Sequence, residues 1–395
     1  MLVQKYKDML SGKSVIRQLS EFATARGQEI GYENVFDYSL GNPSVPVPRE
    51  FTDRMIHMLA TKEPLELHGY SPSLGITSVR EAIAENLEKR FGLPYRKEHI
   101  FMASGAAGAL AHAFRLVTEP GDEILTFAPF FPEYHPYVDL TGAVLKVVPP
   151  NLENFQINFE AFEEMLTEKV KAVLINTPNN PSGVVYSTPT LQRLADILRE
   201  KSREYGHIIY LISDEPYREI VFEGVDSPCV SYFYDNTIMC YSFSKSLSLP
   251  GERFGYVLVP KQVTDADAVY AAAAGAGRSQ GYVNAPSLFQ QAVSRCCDMT
   301  ADIGIYEKNG ALLTESLREM GYHVVQPDGA FYLFPRSLEP DDMAFSERAK
   351  EFDLLLVPGS GFGAPGHFRI AYCVQPEMIQ RALPRFRALA ESYGR

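Results

Sequence analysis

Short apolar runs alternate along this chain with longer stretches in which apolar residues recur at helical spacing. Six runs predict buried strands, at residues 100–103, 123–127, 172–176, 208–213, 238–242 and 256–259. Apolar positions three and four residues apart predict helices at 78–91, 107–117 and 191–205. Strands and helices that alternate in this way predict an α/β fold with a mostly parallel sheet covered by helices.

The pattern changes after about residue 300. A long helical stretch at 306–320 is followed by a compact mixture of short strands and helices. We therefore expect a large domain at 46–298, which holds the parallel sheet, and a smaller α/β domain at 299–395. A chain of 395 residues is long enough for such a division.

Composition and charge exclude several classes of protein. The net charge of −12, with no local basic run, argues against a nucleic-acid partner. The five cysteines lack Cys-x-x-Cys spacing, so we expect reduced thiols in the cytoplasm and neither a disulfide framework nor a metal site. Residues 1–20 carry scattered charges without a continuous apolar run, so we expect no signal peptide and no membrane anchor.

A lysine in a hydroxyl-rich turn is the most informative feature of the sequence. Lys245 follows the predicted strand 238–242, close to Ser242 and Ser244 and eight residues before Arg253. A lysine amine can condense with an aldehyde, while hydroxyls and a guanidinium can bind a phosphate. The segment therefore predicts a site for a phosphorylated aldehyde. The alternative is a surface lysine in a serine-rich turn.

Asp214 and Tyr217 follow the apolar run at 208–213. A carboxylate at the end of a buried strand is costly to bury unless it meets a cation, and a protonated pyridine nitrogen is such a cation. An aspartate after a strand can also simply cap the next helix. The residues alone leave both interpretations open.

Three further turns follow predicted strands. Asn180 lies after the strand 172–176, and turns at the carboxyl ends of parallel strands are where α/β proteins bind ligands. Gly105, Ala106 and Ala107 open a helix whose free N–H groups could hold a phosphate, although close packing of strand and helix needs the same small residues. Their spacing is neither a Walker loop nor a dinucleotide fingerprint. Phe131 could stack on a flat ring or belong to the core.

One arginine, Arg369, lies inside the apolar strand-like run 366–372. A buried guanidinium requires an anion. The carboxylate of a small substrate would serve, held by two parallel hydrogen bonds. The alternative is a structural ion pair with a buried acidic residue.

Taken in order, these motifs resemble those of the class I and II aminotransferases, fold-type-I enzymes that use pyridoxal 5'-phosphate (PLP). The similarity extends from about residue 40 to residue 372. It implies that Lys245 carries the cofactor as a Schiff base, that Asp214 pairs with the ring nitrogen and that Tyr217 contacts the ring oxygen. Asn180 would contact both that oxygen and the substrate carboxylate. One departure is Phe254, where the family usually has a smaller aliphatic residue.

The resemblance implies roles for the remaining candidates. Contacts to the PLP phosphate and ring fall to Gly105, Ala106, Ala107, Phe131, Ser242, Ser244 and Arg253. Phe131 also contacts the substrate, Arg369 holds its α-carboxylate, and Gly41 provides a main-chain contact from a segment, 1–45, that contributes to the small domain. Tyr70 would reach the phosphate of a neighbouring subunit, which implies a homodimer with shared active sites.

The implied activity moves an amino group between an L-amino acid and a 2-oxo acid. Arg278 lies near the segment where aspartate aminotransferases keep an arginine for the second carboxylate of the substrate, which favours aspartate or glutamate slightly. An arginine on the surface or in a subunit interface is an equal alternative. Other fold-type-I enzymes, such as C–S lyases, share the cofactor residues. A ligand sensor fused to a DNA-binding module is a further alternative, but no helix-turn-helix pattern precedes residue 40.

Overall fold

The structure is a computed structural model that describes residues 3, 6, 7 and 15–395. The expectations for residues 1–20, for a DNA-binding module before residue 40 and for the segment 1–45 therefore fall partly outside the described residues. Among the helices of the described part, none combines the length and the apolar character that crossing a bilayer requires.

The bounds of the elements are as follows. The helices are α1 (Val15–Ile30), α2 (Arg49–Thr61), α3 (Pro64–His68), α4 (Thr77–Phe91), α5 (Gly105–Val117), α6 (Tyr134–Asp139), α7 (Phe159–Met165), α8 (Thr188–Tyr205), α9 (Ala266–Ser279), α10 (Ser287–Val293), α11 (Gly304–Glu319), α12 (Asp342–Lys350) and α13 (Pro376–Glu391). The strands are β1 (Phe36–Asp37), β2 (Ile100–Ala103), β3 (Glu123–Phe127), β4 (Val144–Val148), β5 (Val170–Asn176), β6 (Tyr210–Asp214), β7 (Thr237–Ser242), β8 (Gly255–Leu258), β9 (Tyr332–Leu333), β10 (Leu354–Leu355), β11 (Val357–Pro358) and β12 (Phe368–Ala371).

The largest sheet in the described part of the chain has seven strands in the order β2-β8-β7-β6-β5-β3-β4. Only β8 runs antiparallel to its neighbours, so the sheet is mostly parallel and the predicted α/β fold class is confirmed. Each of the six predicted strands overlaps a strand of this sheet. The edge strand β4 was missed because its first position is exposed and Lys146 at its centre pairs with Glu123 of β3.

Helices cover both faces of this sheet. Along β5, Ala172 and Leu174 pack on one face with α5, α6 and α9, while Val173 and Ile175 pack on the other face with α7 and α8. All four side chains are almost fully buried. Burial on both faces explains why the sequence of β5 is a continuous apolar run instead of an alternating one.

The C-terminal part of the chain forms a second core. Strands β11, β12 and β9 form an antiparallel sheet, and β1 pairs with β10 in parallel. Apolar residues of α11 and α13 pack with Phe36 and Tyr38 from the N-terminal segment. These contacts place the residues that follow β1, including Gly41, beside Arg369 of β12.

Candidate active site

A cavity of about 300 Å³ lies at the carboxyl ends of the parallel strands. Asn176, Asp214 and Ser242, the last residues of β5, β6 and β7, all line it. Most of the predicted site residues line the same cavity, namely Gly41, Ala106, Ala107, Phe131, Asn180, Asp214, Tyr217, Ser242, Ser244, Lys245, Arg253 and Arg369. This is the edge at which α/β sheets bind their ligands.

Asp214 has a buried carboxylate in which one oxygen lacks a hydrogen-bond partner. Tyr134 donates a hydrogen bond of 2.6 Å to Oδ2, whereas Oδ1 is buried and has no hydrogen-bond partner. Burial raises the pKa of Asp214 from 3.8 to about 7. Neither oxygen accepts from a following backbone N–H, so Asp214 does not cap a helix. A cation against Oδ1 would remove the cost of burying this charge.

Lys245 is held inside the cavity and is not a surface residue. Its Nζ donates a hydrogen bond of 2.6 Å to the carbonyl oxygen of Gly41. Burial, aided by the positive charges of Arg253 and Arg369 and opposed by Cys373, lowers the pKa of Lys245 from 10.5 to about 8. At pH 7 about a tenth of the amine is therefore neutral, and the neutral form is the one that attacks a carbonyl carbon.

Arg369 is a buried cation with only neutral partners. Its Nη1 donates to Asn180 Oδ1 at 3.1 Å and its Nη2 donates to the carbonyl oxygen of Ser39 at 2.6 Å, while Nε is buried without a partner. It forms no ion pair with any carboxylate of the described residues, so the structural ion pair that the sequence left open is absent there. A buried guanidinium in this state is a ready site for a carboxylate.

At the other end of the cavity, Arg253 lies against the start of α5. Gly105 has a φ of +73°, and a Cβ there would lie 2.8 Å from Arg253 Nη2, so only glycine allows this approach. Gly105 itself does not line the cavity, but Ala106 and Ala107 do. The helix N-terminus and the guanidinium together favour an anion such as a phosphate.

The unusual Phe254 fills space behind the lysine segment. Its ring is buried and stacks on that of Phe243, with the centroids 5.4 Å apart and the planes 15° from parallel. Phe254 stands where the family usually has a smaller residue, and its ring pairs with that of Phe243. Lys245 itself remains within the cavity.

Two predicted residues lie away from this chain's own cavity. Tyr70 is 99% exposed, and Arg278 is exposed near the end of α9. Neither lines the cavity. Any role of these two residues in catalysis therefore requires that they reach the site of another subunit.

Sequence reasoning missed three residues that complete the site. Asn176 donates to the carbonyl oxygen of Asp214, and Tyr134 donates to its carboxylate. Tyr332 lines the cavity between Gly41 and Arg369. Asn176 and Tyr332 belong to apolar strands and Tyr134 begins a short helix, and in none of the three does the sequence show that the polar atom is directed at the site.

The family model for aminotransferases of class I and II matches residues 33–386. The chain belongs to this family. An aspartate aminotransferase of Thermotoga maritima is 30% identical over 94% of this chain and 98% of that protein. An aromatic-amino-acid aminotransferase of Thermococcus litoralis is 31% identical over 94% of both. The crystal structure of an aminotransferase from Eubacterium rectale, 47% identical over 100% of both chains, superimposes with a TM-score of 0.97.

Class I and II aminotransferases depend on PLP, and the cavity suits this cofactor. The unpartnered Oδ1 of Asp214 could meet the protonated ring nitrogen. The start of α5 with Arg253 offers a phosphate site, and Lys245 offers the amine. Phe131, which lines the same cavity, offers a flat apolar ring. Charge and shape therefore agree with the family assignment.

Proposed function

We propose that this aminotransferase moves the amino group of an L-amino acid to a 2-oxo acid, with PLP bound covalently to Lys245. The observation that carries the proposal is the convergence in one cavity of a buried, half-unpartnered carboxylate, a lysine with a lowered pKa and a buried arginine without an acidic partner. In the proposed reaction these groups face, in turn, the protonated ring nitrogen, the α-proton and the α-carboxylate of the substrate.

Each of these residues has a distinct task in the proposed reaction. PLP, when bound, supplies an electron sink that acidifies the α-carbon of the amino acid. Arg369 holds the α-carboxylate and fixes the orientation of the substrate. Asp214 keeps a proton on the nitrogen that faces it. Lys245, once displaced from the cofactor, is the base that accepts the α-proton at Nζ and later donates it to a different carbon.

The identity of the substrate side chain depends on Arg278. The cations that line the cavity in the described residues are Lys245, Arg253 and Arg369, and each already has a proposed partner. A second carboxylate therefore needs a cation from outside the chain, which Arg278 of a neighbouring subunit could supply. Relatives named for aspartate, aspartate or prephenate, and aromatic amino acids are all similar to this chain. We propose aspartate or glutamate as substrate, with aromatic amino acids as the second candidate.

The absorbance spectrum of the purified protein, recorded with single L-amino acids and no 2-oxo acid, tests this function. We expect aspartate or glutamate to convert the band of lysine-bound PLP into that of pyridoxamine phosphate, and Lys245→Ala to abolish the change. Arg278→Ala should slow the reaction with aspartate but not with tyrosine. Release of pyruvate or ammonia instead would establish the lyase alternative. Ligand binding without any amino-group transfer would establish the sensor.

We further propose a homodimer in which Tyr70 completes the neighbouring site. The loop that carries Tyr70 is held rigidly: Asn284 Nδ2 donates to the carbonyl oxygen of Ser71 at 2.6 Å, and Ser287 Oγ donates to that of Gly69 at 2.7 Å. The Tyr70 side chain nevertheless projects into solvent, close in sequence to the 89% exposed Leu65. Exposed apolar residues on an ordered segment are typical of a subunit interface.

A mixing experiment tests the shared site. Copies that carry Lys245→Ala and copies that carry Tyr70→Ala are each expected to be weakly active, but a hybrid dimer regains one site with both residues intact. An equal mixture, after subunit exchange, should recover about a quarter of the wild-type activity, because half of the dimers are hybrids with one intact site of two. No recovery in a mixture shown by mass to contain hybrids would contradict the shared site.

The remaining expectations are also proposals. The packing of Phe36 and Tyr38 with α11 and α13 supports a division in which the segment 1–45 joins a small domain at 299–395, beside a large domain at 46–298. The five cysteines are unpaired in the structure, which supports a location in the reducing cytoplasm.

A further inference from the structure

Tyr332 of β9 contacts three of the proposed active-site groups at once. Its hydroxyl lies 2.9 Å from the hydroxyl of Tyr217. Its ring lies 5.0 Å from the guanidinium carbon of Arg369. Its hydroxyl also lies against Gly41, where a Cβ would come within 2.0 Å of that oxygen. Tyr332 therefore joins parts of the chain that are far apart in sequence.

The hydrogen bond between the two tyrosines is directional, because each hydroxyl has one proton. Both side chains are buried, and burial raises the pKa of Tyr332 to about 12 and that of Tyr217 well above 10, so both stay neutral. The Tyr332 hydroxyl has no other hydrogen-bond partner among the described residues. If Tyr217 directs its proton into the cavity, Tyr332 must donate to Tyr217. If Tyr217 donates to Tyr332 instead, its proton is not available for a hydrogen bond inside the cavity.

We propose that Tyr332 is a positioning residue, which donates to Tyr217 and thereby directs the Tyr217 proton toward the PLP ring oxygen. The inference rests on the proposed function of Lys245 and on the contact between Tyr217 and the ring oxygen that the family resemblance implies. A hydroxyl that accepts one hydrogen bond donates a stronger one, since bonds in a chain polarise each other. The charged or titratable groups that interact electrostatically with the pair are Asp214, Arg369, Cys373, Tyr134 and Tyr372. None of them forms a hydrogen bond with Tyr332.

The pH at which the absorbance of lysine-bound PLP changes reports on this hydrogen bond. Donation from Tyr217 stabilises the negative ring oxygen and so weakens its hold on the proton of the linkage nitrogen. Loss of that donation in Tyr217→Phe should raise the pH midpoint by about 1–2 units. Tyr332→Phe, which only removes the polarising bond, should raise it by roughly 0.2–0.6 unit.

A double-mutant cycle separates this role from simple packing. In the Tyr217→Phe background, adding Tyr332→Phe should leave the midpoint unchanged, because the only route from Tyr332 to the ring oxygen is already missing. The proposal would be overturned if Tyr332→Phe shifted the pH midpoint equally in wild type and in Tyr217→Phe, or shifted it in neither. A lowered midpoint in Tyr332→Phe would show that Tyr217 donates to Tyr332 instead.

The ring and the hydroxyl of Tyr332 are expected to have separable effects. Tyr332→Phe keeps the ring beside Arg369, so the KM for the amino acid should stay within about twofold of wild type. Tyr332→Leu removes the ring as well, and its KM should rise about fivefold or more. Equal KM values in the two variants would show that the ring does not position Arg369. If wild-type protein with added PLP shows no absorbance band of lysine-bound PLP at any pH, the failure lies with Lys245 and the proposed function, not with Tyr332.

Discussion

Arg369→Leu is expected to lower kcat/KM for α-amino acids by about two to four orders of magnitude. The guanidinium is buried, has two neutral hydrogen-bond partners and keeps Nε free. A carboxylate that binds there gains two charge-assisted hydrogen bonds in a shielded site, and removing one partner of such a pair costs about 3–5 kcal/mol. Steady-state kinetics with the preferred amino acid measure the loss.

Two controls identify the carboxylate as the cause. Arg369→Lys keeps the positive charge but not the planar fork, so it should recover only part of the loss. An amine without a carboxylate should react equally slowly with wild-type protein and with Arg369→Leu. If the leucine variant lost the same factor with this amine, Arg369 would support the fold of the site and would not bind the substrate.

The fold could be predicted because its signals are local. Apolar runs buried on both faces, such as β5, differ from the amphipathic helices beside them whatever the tertiary context, and the predicted fold class is confirmed. Edge strand β4 gives a weaker signal because Lys146 interrupts its apolar run and only its last residue is fully buried. The boundaries of the domains remain a prediction.

The site could be predicted only in part, because it assembles from distant segments. Lys245, Asp214 and Asn180 lie at or just after the ends of predicted strands, in segments with recognisable chemistry, and the structure brings them to one cavity. Tyr332 lies in an apolar run next to Phe331, so nothing in the sequence separates a core tyrosine from one that contacts Tyr217. Arg278 lies outside the cavity of its own chain, and its sequence context does not specify whether it acts in the site of another subunit.

Asp214→Asn is expected to have opposite effects on activity and on stability. A neutral amide cannot keep a proton on the PLP nitrogen, so kcat should fall about 10²- to 10³-fold, the effect of removing one partner of a buried ion pair. In the cofactor-free protein, however, the carboxylate is buried without a cation. Burial raises its pKa from 3.8 to about 7, which corresponds to a destabilisation of roughly 4 kcal/mol when the group is ionised in both states.

The sign of the pH dependence follows from this raised pKa. Below pH 4 the carboxyl is protonated in the folded and the unfolded chain, so wild type and Asp214→Asn should be equally stable. Between about pH 4 and pH 7 only the unfolded chain releases the proton, and wild-type stability falls relative to the variant; above pH 7 the difference is constant. Denaturant unfolding of the two cofactor-free proteins at pH 5, 6, 7 and 8 measures how much the free energy of unfolding of Asp214→Asn exceeds that of wild type.

Tyr134→Phe provides the matched control for Asp214→Asn, because it removes the hydrogen bond to Oδ2 but keeps the carboxylate. That bond favours the charged form, so its loss should raise the pKa of Asp214 further and extend the decline in stability, which still begins near pH 4, to a higher pH. Added PLP should stabilise wild type more than Asp214→Asn, since only the carboxylate gains a cationic partner. Equal stabilisation of the two proteins by PLP would contradict the pairing of Asp214 with the ring nitrogen, even if Asp214→Asn were inactive.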